Sequence, residues 1–286
     1  MIIFLSDGRL GNQIFQYTFL NTIAKENELI VSTSMGQLYS AFEVKNKNFK
    51  QAAQNKYLNF LLMRLVKPYI LDSLVKLKLV GYVKQDSSET SALPTLKSAK
   101  GLLKITLVES NFFQSEVFFD KSAVDIEIKE NFILEAQSIL ESVCIDQTKV
   151  FVHVRRGDYL FEKYLGEGGI DLPKRYFLDA IEIMKQKIEN PFFIFLSDDS
   201  SYCECCFEDI ENKYISNNNM NVDLALMTLC EYGIVSNSSF SWWGAYLMKN
   251  RKEVIFPKYW YGWKQRVESH VGIQPEWAKL IDVNKQ

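Results

Sequence analysis

The chain has 286 residues, 47% of them apolar and 14% aromatic, with a formal charge of −2. That composition excludes a disordered chain, and the length allows one large domain or two compact ones. The near-balanced charge points to no polyanionic partner, and no nucleic acid is expected.

The chain opens on Met1-Ile2-Ile3-Phe4-Leu5 and reaches Asp7-Gly8 at once. This reads as a short buried strand, because no basic segment or long apolar run of a signal peptide precedes it. Asp7-Gly8-Arg9-Leu10-Gly11-Asn12 is a glycine-bearing turn. Ile14, Phe15, Thr18, Phe19 and Ile23 then recur at helical spacing, and Leu29-Ile30-Val31 forms a second strand. A βαβ start of this kind predicts a parallel sheet covered by helices.

Residues 45–104 have another character, with twelve Lys or Arg against three Asp or Glu. Leu58, Leu61, Leu62, Leu65, Ile70, Leu71, Leu74 and Val75 fall at helical spacing. The stretch reads either as a basic, solvated helical face or as a surface that meets anionic lipid headgroups or an anionic acceptor carrier. No apolar run approaches the ~20 residues that span a bilayer. A cytoplasmic protein is expected, and the lipid reading would add peripheral contact at the inner face of the cell membrane. Ile105–Val108 is a strand leading into Phe113-Gln114-Ser115-Glu116, and Ile126–Ser142 is a helix. A domain boundary is placed after it, giving domains 1–146 and 147–286.

The second half alternates more clearly. Lys149–Val154 is a strand, Asp171 caps a helix that opens with Pro173, and Phe177, Ile181, Met184 and Ile188 share one face of it. Phe192–Leu196 is a strand ending in Ser197-Asp198-Asp199. Asp223–Cys230 is a short helix, and Tyr232–Val235 is a strand. Ser236-Asn237-Ser238-Ser239 opens another helix, and Val254–Phe256 is one more strand. A last helix packing back on the N-terminal domain is also expected. The fold class is α/β, with two Rossmann-like domains facing a cleft at their strand C-termini, where open α/β sheets bind ligands.

His153-Val154-Arg155-Arg156-Gly157-Asp158-Tyr159 is the strongest chemical signal. Two arginines at a strand end suit phosphate, which guanidinium grips in bidentate fashion at any pH. Ser236–Ser239 lies between a strand and a helix N-terminus, where hydroxyls cap and backbone N–H groups hold an anion. Gly8–Gln13 lacks the third glycine of a dinucleotide fingerprint, and no Gly-Lys-Ser/Thr of a P-loop follows it. Its Arg9, Asn12 and Gln13 are polar side chains for the cleft. Three of five cysteines, Cys203, Cys205 and Cys206, crowd together. The histidines are only His153 and His270, and no second Cys pair completes a zinc set, so reduced thiols are expected.

Gly8-Arg9-Leu10-Gly11-Asn12-Gln13-Ile14-Phe15-Gln16-Tyr17, His153–Asp158 and Ser236-Asn237-Ser238-Ser239-Phe240-Ser241-Trp242-Trp243-Gly244 resemble the motifs of glycosyltransferase family 11, the α-1,2-fucosyltransferases. Phe113-Gln114-Ser115-Glu116 resembles a fourth family segment. The likeness runs in matching order from residue 8 to about 260. Its His-x-Arg-Arg-x-Asp element is shared with α-1,6- and protein O-fucosyltransferases, whereas the Ser-Asn-Ser-Ser segment points to the α-1,2 group. The resemblance implies a GT-B fold, GDP-fucose as donor, no cofactor or required metal, inversion at the anomeric carbon and a β-galactoside acceptor in a glycan or lipid-linked oligosaccharide. It implies that Arg155, with His153 and Arg156, binds the donor, that Asn237, Ser238 and Ser239 hold phosphate oxygens, and that Asn12 and Arg9 reach in from the other domain.

No Asp-x-Asp for a divalent ion occurs in the chain. Asp198 or Asp199 is a candidate for the guanine or ribose, or else a strand-end cap. The acceptor proton needs a base, and Asp158, Glu162 and Asp7 are candidates beside departing phosphate and water. Tyr259, Trp260, Tyr261 and Trp263 read as a hydrophobic lid on the domain joint or as stacking partners for a sugar. A fucosyltransferase of another linkage and a non-catalytic sugar-nucleotide-binding module remain the competing functions.

Overall fold

The computed structural model describes residues 1–53, 56–86, 92–144, 146–269 and 271–284. They divide into two compact units, Met1–Glu127 and Ile128–Gln286.

The first unit runs β1 (Ile2–Phe4), α1 (Leu10–Ile23), β2 (Ile30–Thr33), α2 (Gly36–Ala41), β3 (Phe42–Val44) and β4 (Phe49–Ala53). A continuous helical segment follows, built from α3 (Lys56–Leu61), a π-helical stretch (Leu62–Leu71) and α4 (Asp72–Lys76). Then come β5 (Gly81–Asp86), β6 (Thr95–Ala99), β7 (Thr106–Val108) and β8 (Ile126–Ile128), at whose last residue the second unit begins. The six-stranded sheet has the order β4-β2-β1-β7-β5-β6, parallel except for β6, which pairs antiparallel with β5. α1 is buried on every side from Gln13 to Leu20, and Leu10, Ile14, Phe15, Tyr17, Phe19 and Leu20 supply its apolar contacts. Phe19 stacks on Phe113 with ring centroids 3.8 Å apart, which ties α1 to the loop after β7.

The second unit runs α5 (Glu130–Val143), β9 (Thr148–Val154), the small hairpin β10 (Lys163–Tyr164) and β11 (Glu167–Gly168), and α6 (Lys174–Lys187). It continues through β12 (Pro191–Ser197), α7 (Ser200–Cys206), β13 (Lys213–Ile215), α8 (Met220–Thr228), β14 (Tyr232–Ile234), α9 (Ser239–Tyr246), β15 (Glu253–Pro257) and β16 (Lys279–Ile281). Its sheet is wholly parallel in the order β13-β12-β9-β14-β15-β16. Counted along the chain from β9, that is the 3-2-1-4-5-6 order of a doubly wound fold. β12 is an unbroken apolar run from Phe192 to Leu196, as a strand covered on both faces requires. α6 lays Phe177, Ile181 and Met184 on the sheet in one buried stripe, with Ile188 following. The class is the expected one, α/β with two Rossmann-like units.

Several expectations need correction. The basic stretch 45–104 is helical only over Lys56–Lys76; β4, β5 and β6 also lie in it, and residues 54–55 and 87–91 are outside the described residues. Ile126–Ile128 is a strand, and the helix behind it starts at Glu130. The division falls at 127/128 rather than 146, because α5 packs on α8 and so belongs to the second unit. Among the described residues no helix follows α9 except the single turn Trp260–Gly262. The chain end instead adds β16 to the second sheet.

Candidate active site

In an open α/β sheet the crevice forms outside the strand C-termini, where the strand order reverses. In the second unit that point lies between β9 and β14, which are direct neighbours. His153 sits near the end of β9, and Ser236 follows β14. The His153 Nδ1 and Ser236 Oγ are 2.7 Å apart and both residues are buried. Burial, followed by the positive field of Arg155, pushes the His153 pKa down to about 3, so the imidazole is neutral. His270 is outside the described residues.

Arg155 leaves the strand end beside this pair. Its guanidinium bonds Asp158 and meets Asp198 Oδ2 at 2.8 Å, over the face of Tyr159. Asp198 Oδ1 also accepts the Arg156 backbone N–H at 2.9 Å. Gly157 has φ +27°, and a side chain there would collide with Asp198. Arg156 turns the other way. It bonds Asp199 at 3.2 Å and Asp171 at 3.4 Å and lies 3.6 Å above the Tyr202 ring. Asp171 is therefore a partner for Arg156 and not the α6 cap, a position held by Pro173. Asp199 caps α7, accepting Tyr202 N–H at 3.1 Å. Two arginines thus stand among four aspartates, so an incoming phosphate competes with carboxylates for Arg155.

Ser236–Ser239 makes the opposite wall. Ser238 is the N-cap of α9 and accepts the Phe240 N–H at 3.4 Å, and Ser239 is the first helical residue. Ser241 Oγ donates back to the Ser236 carbonyl at 3.3 Å, which fixes the loop. Asn237 donates to the Ile170 carbonyl at 2.7 Å, while its Oδ1 is buried and accepts nothing. A buried acceptor without a donor is uncommon and calls for an explanation. Tyr159 bridges the walls, its hydroxyl reaching the Asn237 carbonyl at 3.3 Å and Tyr261 Oη at 3.1 Å. Burial raises the pKa of both tyrosines.

The aromatics after β15 pack within the second unit. Trp260 is fully buried, and Trp263 donates its indole N–H to the Ile170 carbonyl at 3.2 Å. Glu162 is exposed two residues before β11's hairpin partner strand closes, in the turn that follows Asp158. Cys203 is buried, Cys206 half-buried and Cys205 exposed, all as free thiols. Among the described residues no group of three or more His, Cys, Asp or Glu is placed to hold a metal ion.

The first unit has its own reversal point, between β1 and β7. Asn12 lies in the first turn of α1, just after β1, and Gln114 follows β7. Gln114 Nε2 donates to Asn12 Oδ1 at 2.7 Å. Gly8 stands at φ +89°, where a Cβ would lie 2.7 Å from Asn12 Nδ2. Phe113 takes φ +51°, a costly conformation for a bulky residue, and its buried ring secures it. Arg9 and Asp7 are exposed, whereas Gln13 is not a free cleft residue. Gln13 is buried, donating to the Gly8 carbonyl at 3.1 Å and accepting Leu38 N–H at 3.0 Å. Gln16 braces the same turn through the Asp7 and Asn111 carbonyls, both at 3.0 Å.

Asp223 escaped the sequence reading. It is buried in the first turn of α8, 2.5 Å from Ser216 Oγ beyond the end of β13, and burial lifts its pKa to about 7. Asn221 beside it is also buried. The signal was an acid inside the run Val222-Asp223-Leu224-Ala225-Leu226, a placement that costs free energy without a reason.

The chain is similar to known glycosyltransferases. An α-1,2-colitosyltransferase of Escherichia coli is 30% identical over 194 residues, covering 64% of this chain and 66% of that protein. The O-antigen biosynthesis glycosyltransferase WbnK of Escherichia coli is 26% identical over 280 residues, covering 89% of this chain and 93% of that protein. The crystal structure of NodZ α-1,6-fucosyltransferase with GDP superposes with a TM-score of 0.53 at 10% identity, over 86% of this chain and 92% of that one, and so shares its fold. The family model of glycosyl transferase family 11 matches residues 98–280, spanning both the Phe113–Glu116 segment and the whole edge around β9 and β14. The chain belongs to glycosyl transferase family 11.

Proposed function

We propose that the chain transfers L-fucose from GDP-fucose, with inversion and without a metal, to the 2-hydroxyl of a galactoside in a glycan or lipid-linked oligosaccharide. The observation that carries this reading is that Arg155 and the α9 N-terminus follow the C-terminal ends of two adjacent parallel strands. A fixed guanidinium and a set of helix-end N–H groups form a diphosphate cradle.

In this reading the anomeric C–O bond breaks and the electron pair leaves on GDP. Arg155 stabilises the charge that grows there, which favours the transition state over the ground state. It does so by exchanging a carboxylate, Asp158 or Asp198, for phosphate oxygens. Ser238 and Ser239 take further oxygens at the helix end. Neutral His153, locked to Ser236, shapes the wall and orients the donor. Asn12, held by Gln114, serves the sugar. The acceptor oxygen attacks the face opposite the leaving group, and its proton passes to Asp158, Glu162 or Asp7, or to departing phosphate or water.

The identity to a colitosyltransferase favours a second reading, in which the transferred sugar is colitose. Both readings share one experiment. GDP release from GDP-fucose is measured with lactose or N-acetyllactosamine in the presence of EDTA, beside the colitosyl donor, and the product linkage is read by NMR. Acceptor-dependent, EDTA-insensitive release and a 1→2 linkage are expected. Absence of any GDP binding would overturn both readings, and a 1→6 or peptide linkage would replace the proposed one.

A further inference from the structure

Among the described residues no helix is long and apolar enough to cross a membrane. A different feature marks the first unit. The strands β1, β5 and β7 are parallel and start at the sheet edge opposite Asn12. At that edge two turns are joined by backbone hydrogen bonds. The Leu102 N–H donates to the Lys78 carbonyl at 2.9 Å, and the Leu103 N–H to the Leu79 carbonyl at 2.8 Å.

The joined turns present leucines to solvent. Leu102 is 81% exposed and Leu77 is 69% exposed. Single exposed leucines are ordinary, but adjacent ones in rigid turns make a projecting apolar knob. Lysines surround it: Lys76, Lys78, Lys100 and Lys104 are all exposed. No Asp or Glu occurs in residues 73–85 or 95–104. The helical segment that leads into the knob repeats the pattern, with Tyr57, Leu61, Leu65 and Tyr69 exposed at four-residue spacing beside Arg64.

We propose that this double turn, with the helical segment before it, docks on an anionic lipid bilayer. The leucines enter the headgroup boundary and the lysines face lipid phosphates. Charge selects this occupant. The basic excess of the chain is confined to residues 45–104, whereas the chain as a whole carries −2. A second copy would bring a like-charged face against it, and a nucleic acid backbone gives exposed leucines no partner. Docking by this edge leaves the strand C-termini of the first unit, with Asn12, turned away from the lipid.

The test is flotation of the full chain with phosphatidylcholine vesicles, with and without about one third phosphatidylglycerol, at low and high salt. It needs no turnover, so its failure and that of the transfer reading are separable. Binding is expected on anionic vesicles at low salt and is lost on neutral vesicles or at high salt. The triple variant Lys76→Glu/Lys100→Glu/Lys104→Glu lowers partitioning by at least about 100-fold, each lysine being worth about fivefold. Leu77→Ser/Leu102→Ser lowers it about tenfold while circular dichroism and GDP binding stay unchanged. Three results overturn the proposal: no binding of the parent chain at low salt, leucine variants that bind as the parent does, or a dimer by light scattering that the leucine variant dissociates.

Discussion

Asp198 and Arg155 form one fixed unit: Asp198 is anchored by the Arg156 backbone N–H at 2.9 Å and holds the Arg155 guanidinium at 2.8 Å. The aspartate therefore acts on the arginine before it can act on any nucleotide. Asp198→Asn keeps an oxygen for the Arg156 N–H but discards the ion pair. The expected result is a fall in kcat of about tenfold with KM for the donor changed by less than about threefold. A nucleotide-binding Asp198 would give the reverse, a raised KM with kcat preserved. Steady-state kinetics in donor concentration separates the two.

Arg155→Lys tests the cradle itself. Lysine retains the charge but replaces a planar fork with a point donor, and it cannot face Asp158, Asp198 and a phosphate together. Turnover is expected to fall about 100-fold, or about 2.7 kcal/mol of transition-state stabilisation. Circular dichroism should be unchanged, because Arg155 is not a core residue. Near-parent turnover would remove the arginine from the reaction.

His153 has a folded pKa of about 3, below its ordinary 6.5, because burial and Arg155 disfavour the cation. Its contribution to stability is thus complete above about pH 6.5 and is lost progressively as the pH falls toward 3. Between about pH 6.5 and 5 the loss is roughly 2 kcal/mol. His153→Asn keeps a polar atom near Nδ1 and cannot titrate, so urea unfolding of the variant should lack this acid limb. The activity profile of the parent should likewise show no imidazolium step between about pH 5 and 8.

Much of the second unit was legible from the sequence, and the reasons are physical. Its strands are buried on both faces, so Phe192–Leu196 and Val150–Val152 read as continuous apolar runs, and the polar motifs mark where they end. The Arg155 and Ser236–Ser239 segments could be assigned to strand ends on that basis alone. Strand β6 could not be read, because all five of its residues are exposed and carry no alternation. β8 merged with α5 because Ile126–Ile128 passes into the helix after one residue. Pairings between distant segments, such as Arg155 with Asp198 or Arg156 with Asp171, have no local signature. They turn a pair of cations into a network dominated by carboxylates.

Asp223 titrates in the opposite sense to His153. Burial raises its pKa from 3.8 to about 7, so the folded chain holds a proton that the unfolded chain releases. The stability it contributes is present below about pH 4 and lost as the pH rises to 7. Asp223→Asn preserves the acceptor for Ser216 Oγ, which lies 2.5 Å away, and removes the ionisation. The variant should be more stable than the parent by about 1–2 kcal/mol at about pH 8 and equal to it near pH 4. Calorimetry at the two pH values measures the difference. A gain in stability joined to a loss of donor binding would identify Asp223 as a residue kept for function.

Gly8→Ala acts on the first unit alone. The glycine has φ +89°, and the new Cβ would lie 2.7 Å from Asn12 Nδ2 and 2.9 Å from Asn12 Cβ. Alanine carries a backbone penalty of roughly 1–2 kcal/mol in this region before any clash is counted. The turn cannot yield easily, because Gln13 and Gln16 hold the Gly8 and Asp7 carbonyls. Asn12 is the part that moves, and it loses its bond to Gln114. If Asn12 serves the sugar and not the nucleotide, GDP affinity should stay within about twofold while kcat falls at least tenfold. Isothermal titration with GDP and a turnover assay decide the matter. Equal losses in both would place Asn12 on the nucleotide, and no loss in either would take the glycine turn out of the mechanism.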